Sequence, residues 1–391
     1  MTLRAWVLAL LPAVLAGFLV VSTARQVRFM AHKDEGVYLY YASHIAEQGP
    51  AAFKGLTKTY LADERLHRYP PPFRLTTVGL QGLSVRLMGK SFRSLQAVSL
   101  GSFLLLLVLF FFGLRRLFDE KTAFLAALLL SVSPLYLGLA RRALSDSLVA
   151  ALAVLCLLWF IRLLTSKKPS SRQSVGLAFL YMAAFLAREG NFLLVPLSLA
   201  LAGFHWIWTR RRPPVLLLCA VSVFPLVWAL SAVVLVCGGW EPFRQAFLAN
   251  FHSVDNNPYA LQFGSGPWFR YLVDFLLISP ATTLFYLVWI GCLIAGGERE
   301  EGWVLWALVP VLFLLLSAPF TKNVRYALML EAPIRLGAAG LLRKQKPFYL
   351  ALAVAGLLFL DGLAFCDLFV SSNLYDPVTV NLLALRGFLP R

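Results

Sequence analysis

Two apolar segments decide the fold class of this chain: Leu95–Gly113 (LQAVSLGSFLLLLVLFFFG) and Thr122–Ala140 (TAFLAALLLSVSPLYLGLA). Neither contains a charged residue, and each exceeds the roughly 18 residues that a helix needs to cross a bilayer. The turn between them, Arg115–Lys121, is basic. Because short basic loops are retained on the cytoplasmic side, the pair predicts a membrane hairpin whose turn lies inside the cell.

The same apolar pattern runs through most of the 391 residues, of which 59% are hydrophobic and only 14% charged. A soluble domain carries about a quarter charged residues, so a soluble fold is excluded. We predict an all-α polytopic membrane protein with about eleven transmembrane helices. These are Ala5–Ser22, Leu95–Leu114, Thr122–Leu139, Ser147–Leu163, Val175–Ala187, Phe192–Trp208, Val215–Val236, Tyr271–Ala295, Gly302–Ala318, Tyr326–Leu342 and Phe348–Phe369.

The distribution of Lys and Arg orients these helices. Short loops that we assign to the cytoplasm are basic, which places the N-terminus inside and the last residues outside. The long first loop, 23–94, then lies outside, and within it Pro72–Gly89 is predicted as a helix at the membrane interface. This loop carries eleven Lys and Arg residues, and the net charge of the chain is +17. An outer surface of this charge attracts anions and contacts membrane lipids, whereas nucleic acid is a poor candidate partner.

An acidic pair, Asp34-Glu35, opens the long outer loop. It begins an aromatic segment in which Val37, Tyr41 and Ile45 recur at helical spacing. Two interpretations of Asp34 stay open. Aspartate favours the N-terminus of a helix, where it caps the backbone N–H groups. A carboxylate at the outer mouth of a membrane helix can also serve as a general base.

Several motifs follow in a fixed order: Arg68–Phe73 (RYPPPF), the stretch 89–146, Gly264–Gly266 (GSG) and Asn323–Tyr326 (NVRY). Their order and placement resemble the C-type (GT-C) superfamily of membrane glycosyltransferases, in particular protein O-mannosyltransferases and bacterial aminoarabinose transferases. The resemblance covers most of residues 1–345. It implies a GT-C catalytic module over that range, which includes outer loop 23–94, followed in 346–391 by a last helix and a short outer tail.

The resemblance implies an inverting transfer of a sugar from a polyprenyl-phosphate donor to a hydroxyl of a lipid, glycan or protein acceptor on the outer face. It assigns the general base to Asp34, with Glu35 as a supporting hydrogen-bond acceptor. A phosphate leaving group needs fixed cations, and arginine offers it a planar fork. The residues expected to bind the donor and its phosphate are Arg68 (or Arg74 in its place), Arg141, Arg142, Asp146, Arg188, Lys322, Arg325 and Tyr326.

Other interpretations of these residues stay open. The cations could extend to lipid headgroups, Asp146 could cap its helix or hold Arg141 or Arg142, and Arg188 could pair with Glu189. Relatives that transfer oligosaccharides bind a divalent metal, so a metal is possible, although no cofactor is firmly predicted and no metal-ligand spacing occurs.

Charges also occur inside the apolar segments. Glu331 and Arg335 are expected to form a structural pair, whereas Asp361 has no neighbour in the sequence that could pair with it. The rival functions are a secondary transporter, and a non-catalytic or polymerase-type protein of envelope glycan assembly. A bacterial inner membrane, with the active site facing the periplasm, is the expected location.

Overall fold

We analysed a computed structural model of the chain, which describes residues 2–167, 169–255, 261, 263–264, 266–296 and 300–389. Ser265 of the Gly264–Gly266 motif, and Lys168 and Arg299 of the basic loops, lie outside the described residues. Helices make up all the regular structure of the described part. They are α1 (Leu3–Ser22), α2 (Asp34–Gln48), α3 (Ala52–Ala62), α4 (Leu75–Met88), α5 (Phe92–Leu117), α6 (Glu120–Ser131), α7 (Pro134–Ala140), α8 (Asp146–Leu164), α9 (Ser171–Ala187), α10 (Leu194–Thr209), α11 (Val215–Val221), α12 (Val223–Cys237), α13 (Trp240–Asp255), α14 (Arg270–Ile278), α15 (Pro280–Ile294), α16 (Glu301–Leu316), α17 (Glu331–Leu342), α18 (Pro347–Phe365) and α19 (Thr379–Leu385).

All the predicted apolar segments are helical, but fewer of them are long enough to cross a membrane as one straight helix. In the described residues six helical spans pass tests of length and composition, or seven if the bent pair α6–α7 counts as one span. The six are Leu3–Ser22, Phe92–Leu117, Asp146–Leu164, Glu189–Thr209, Val215–Cys237 and Pro347–Ser371. The all-helical membrane fold is therefore confirmed, whereas the count of about eleven crossings stays a prediction.

Proline explains the breaks inside two of the predicted helices. The segment Thr122–Leu139 divides into α6 and α7, which meet at 58° where Ser133 precedes Pro134. Likewise α14 ends before Ser279 and α15 begins at Pro280. A proline inside a helix removes a backbone donor and disfavours helical geometry in the residue before it, so each helix ends there and a new one begins.

The helices share one large apolar core, and the residues after 345 belong to it. Leu357, Phe365 and Phe369 of the last helical segment are part of this core. Phe369 packs directly on Gly138 of α7, where a Cβ would lie only 2.2 Å from the ring. The segment 347–371 is thus fixed against α7, the element that precedes Arg141 and Arg142.

The loop 23–94 folds into a layer of its own. Helices α2, α3 and α4 pack around Tyr38, Tyr41 and Phe53, which form a second, smaller apolar cluster. The segment predicted as an interfacial helix, Pro72–Gly89, is helical as α4, and it leaves Leu83 and Leu87 exposed. This layer places the start of α2 over the ends of the long helices.

A buried ionic network lies within the bundle. Arg335 donates a hydrogen bond to Glu331 at 2.9 Å, so the expected pair forms. Arg335 also donates to Asp361 of α18, which accepts further bonds from Ser279 and Thr282 at 2.5 and 3.1 Å. The partner that Asp361 lacked in the sequence is therefore Arg335, and the network joins α15, α17 and α18.

Candidate active site

The turn before α2 sets the positions of the acidic pair. Lys33 is the N-cap residue, and Asp34 and Glu35 are the first two residues of the helix. Gly36 allows the tight turn, since a Cβ at this position would lie 1.7 Å from the carbonyl oxygen of Ala31. Asp34 therefore lies in the first turn rather than at the cap, and the two carboxylates point in different directions.

Glu35 is enclosed and fully engaged. Its side chain is 0% exposed. Arg142 donates two hydrogen bonds to it, at 2.9 Å from Nε and 2.7 Å from Nη2. The backbone N–H groups of Ala143 and Met30 donate two more, at 2.9 and 2.6 Å. Glu35 thus fastens the turn before α2 to the link between α7 and α8.

Asp34, by contrast, has a carboxylate that is partly exposed and not hydrogen-bonded. Its side chain is 27% exposed, and it accepts no hydrogen bond from the described residues. Its nearest cation is Arg325, whose Nη1 lies 3.6 Å from Oδ2. Burial raises the pKa of Asp34 above its ordinary value; Arg325 opposes this effect and nearby Asp146 adds to it. Asp34 can therefore both reach a ligand and hold a proton.

Arg325 lies at the centre of the charged cluster. It is the second residue of a 3₁₀ segment, Val324–Leu330, and the side chain of Asn323 accepts a hydrogen bond from its backbone N–H at 3.1 Å. Its Nη1 lies 3.8 Å from Asp146, and its Nε lies 3.2 Å from Asp376. The side chain is only 8% exposed, and the contact of Nε with Asp376 lacks hydrogen-bond geometry. A buried guanidinium that forms ion pairs but no side-chain hydrogen bonds can bind the oxygen of an anionic ligand.

Two ion pairs decide between the alternatives left open for these residues. Arg188 pairs with Asp146 at 2.9 Å and not with Glu189, so Asp146 holds this cation rather than Arg141 or Arg142. Glu189 pairs with Arg74. Arg188 thus contacts the start of α8, whereas Glu189 contacts the residue before α4.

The same two pairs bring aromatic residues into the site. The guanidinium carbon of Arg188 lies 4.1 Å from the ring centroid of Tyr326, which is 41% exposed. Arg74 also donates to the hydroxyl of Tyr38 at 2.7 Å.

Three of the expected donor-binding residues lie apart from this cluster. Arg141 donates to the carbonyls of Phe369 and Thr23, at 2.5 and 2.8 Å, and so ties α1 to the last helix. Lys322 donates to three carbonyls that follow α16, at 2.7 to 3.0 Å. Arg68 is exposed and forms no hydrogen bond or ion pair with the described residues. The buried cation in the first loop is instead Arg74, which is 7% exposed.

Two residues of the cluster were not predicted from the sequence. Tyr375 and Asp376 lie between α18 and α19, and their side chains contact Arg142 and Arg325. A Tyr-Asp pair after a membrane helix has no distinctive spacing, so the sequence held no signal for it.

The residues of the site do not fit a divalent metal. Asp34, Asp146 and Asp376 all face Arg325, whose guanidinium already supplies the positive charge between them. In the part of the chain that the structure describes, no group of three or more His, Cys, Asp or Glu side chains could hold a metal ion. We therefore assign no step to a metal.

A family comparison supports the fold. Residues 77–229 match the family described as dolichyl-phosphate-mannose-protein mannosyltransferase. No curated protein gives a significant sequence match to the chain.

Solved structures resemble nearly the whole chain. ArnT from Cupriavidus metallidurans in the apo state superposes with a TM-score of 0.62 at 16% identity over 90% of this chain and 62% of that chain. The same protein bound to undecaprenyl phosphate gives 0.63 at 14% identity, over 99% of this chain and 73% of that one.

An archaeal enzyme gives a similar result. The Archaeoglobus fulgidus oligosaccharyltransferase tethered with an acceptor peptide gives a TM-score of 0.61 at 13% identity, over 93% of this chain and 55% of that one. The chain thus spans less than two thirds of two of these three structures, and at these identities the likeness establishes the fold. The family match covers residues 77–229, and the chain as a whole shares the fold of ArnT and of the oligosaccharyltransferase.

Proposed function

We propose that this protein is an inverting glycosyltransferase. It moves a sugar from a polyprenyl-phosphate donor to a hydroxyl acceptor on the outer, periplasmic face of a bacterial inner membrane. A polyprenyl-phosphate donor is supported by the structures of similar fold that contain undecaprenyl phosphate or dolichol-phosphate. The acceptor is a lipid, a glycan or a protein.

The state of Asp34 carries this proposal. It is a carboxylate with a raised pKa, accepts no hydrogen bond from the described residues, and lies 3.6 Å from a buried arginine. A general base needs an ionised oxygen within reach of the acceptor and a pKa closer to neutrality than that of an ordinary aspartate. Glu35, the other candidate, has its oxygens occupied by four donors.

The chemistry follows from this arrangement. The acceptor oxygen attacks the anomeric carbon of the donor as its proton passes to Asp34. The bond between that carbon and the phosphate oxygen breaks, and its electron pair leaves with the polyprenyl phosphate. One new glycosidic bond forms with inversion. The negative charge that grows on the phosphate needs positive groups fixed beforehand.

Arg325 and Arg142 provide those positive groups. Each is at least nine-tenths buried, at 8% and 3% exposed. Nη1 of Arg142 has no hydrogen-bond partner in the described chain, and the contacts of Arg325 with Asp34, Asp146 and Asp376 are ion pairs without hydrogen bonds. Arg188 and Tyr326 line the same cluster through Asp146. We assign Arg141 and Lys322 to the scaffold, because backbone carbonyls accept their hydrogen bonds.

Asp34→Asn tests the proposal. The amide is similar in shape and cannot take the proton, so turnover should fall at least about a hundredfold while the protein stays folded. Membranes that contain the wild type or the variant would be given radiolabelled polyprenyl-phosphate sugars, and transfer to the acceptor measured. Wild-type turnover in a folded Asp34→Asn protein would return this residue to a structural role in its helix.

A further inference from the structure

The segment between α18 and α19 packs onto the charged cluster. The ring of Tyr375 lies 4.7 Å from the guanidinium carbon of Arg142 and 5.6 Å from that of Arg325. The next residue, Asp376, lies 3.2 Å from Nε of Arg325 and accepts a hydrogen bond from Asn323. One aromatic ring therefore contacts both arginines that are proposed to hold the phosphate.

Two buried donors beside this ring have no partner. The hydroxyl of Tyr375 and Nη1 of Arg142 make no hydrogen bond with the described residues. Leaving a buried donor without a partner is costly, and more so for a charged group. A ligand oxygen would supply the missing acceptor for these two donors. Because one of them is a guanidinium N–H and a second guanidinium, that of Arg325, faces the same ring, an anionic oxygen fits better than a neutral one.

We propose that Tyr375 is a donor-binding residue whose hydroxyl donates a hydrogen bond to a phosphate oxygen of the polyprenyl-phosphate donor, beside Arg142 and Arg325. This inference rests on the proposed function, because that function supplies the phosphate. It makes the segment between α18 and α19 part of the binding site. The ring keeps the two guanidinium groups in place, and the hydroxyl contacts the ligand.

Tyr375→Phe separates these two roles, because it removes the hydroxyl and keeps the ring. Losing a hydrogen bond to a charged oxygen should weaken binding about tenfold or more. The probe is undecaprenyl phosphate, and its dissociation constant would be measured with purified protein by a fluorescence titration. Undecaprenol, which has the same chain and no phosphate, shows whether a change concerns the phosphate. Tyr136→Phe is the matched control, since its hydroxyl is also buried without a partner but belongs to the apolar core.

The outcomes distinguish the inference from the proposed function. Weaker binding of undecaprenyl phosphate to Tyr375→Phe, with unchanged binding of undecaprenol and an unaffected Tyr136→Phe, supports the inference. If Arg325→Ala weakens binding and Tyr375→Phe does not, the role of Tyr375 is overturned while the proposed function stands. If the wild type binds the two lipids equally, both fail. An unchanged unfolding temperature in Tyr375→Phe shows that the result does not reflect misfolding.

Discussion

Adjacent carboxylates acquire different properties here because their surroundings differ. Asp34 is partly exposed among cations and another acid, whereas Glu35 is enclosed by donors. The raised pKa of Asp34 has a direct consequence for the pH dependence of activity. The base works when ionised, so kcat/KM should fall as the pH is lowered through this pKa, above the ordinary value of 3.8.

A pH profile of sugar transfer checks this, and a profile that stays flat down to pH ~4 would contradict it.

Ionisation of Asp34 has the opposite effect on the stability of the fold. Because the folded state raises the pKa of Asp34, it favours the protonated form, and the ionised form costs stability at neutral pH. Asp34→Asn should therefore unfold at a temperature no lower than the wild type.

Glu35→Gln, unlike Asp34→Asn, should lower the unfolding temperature. The amide cannot neutralise Arg142, whose side chain is 3% exposed, and breaking a buried ion pair costs about 3–5 kcal/mol. We expect a large fall in unfolding temperature in detergent. The matched Asp34→Asn variant should show none. If Glu35→Gln stays as stable as the wild type but is inactive, Glu35 acts in catalysis directly.

At the scale of elements, the carbonyl groups at the end of a helix can occupy a cation and so keep it from binding a ligand. Lys322 is 1% exposed, and its ammonium group satisfies three carbonyls at the end of α16. In Lys322→Met these carbonyls lose their donor. The free energy of unfolding should fall by about 1–3 kcal/mol, and the affinity for undecaprenyl phosphate should not change.

Thermal unfolding and a lipid titration on the same preparation test this. An affinity that falls tenfold with no loss of stability would restore the phosphate-binding role expected from the sequence. Arg325 provides the contrast, since its guanidinium makes no hydrogen bond to a backbone carbonyl among the described residues.

At the scale of the whole molecule, the site requires a defined orientation in the membrane. Basic loops predict the N-terminus inside and the loop 23–94 outside. Reporter fusions after Ser94 should therefore be detected outside the cell, and fusions after Lys167 and Lys344 inside. An inside signal after Ser94 would place Asp34 in the cytoplasm and remove the outer-face reaction.

The sequence by itself determined the membrane class, the helical composition and the acidic pair at the mouth of α1. These follow from local properties: apolar length, helical spacing and the basic character of short loops. It also determined Arg325 as a candidate, because the motif that contains it is contiguous.

The tertiary structure decided which charges meet. Glu35 pairs with Arg142 across 107 positions of sequence, Asp361 pairs with Arg335 on another helix, and Tyr375 reaches the site from the segment between α18 and α19. It also separated Arg141 and Lys322, whose hydrogen bonds go to backbone carbonyls, from Arg142 and Arg325, which face carboxylates and the ring of Tyr375. The partner of a charged residue is set by the packing of helices that are distant in the chain, and residue type and local spacing do not predict that packing.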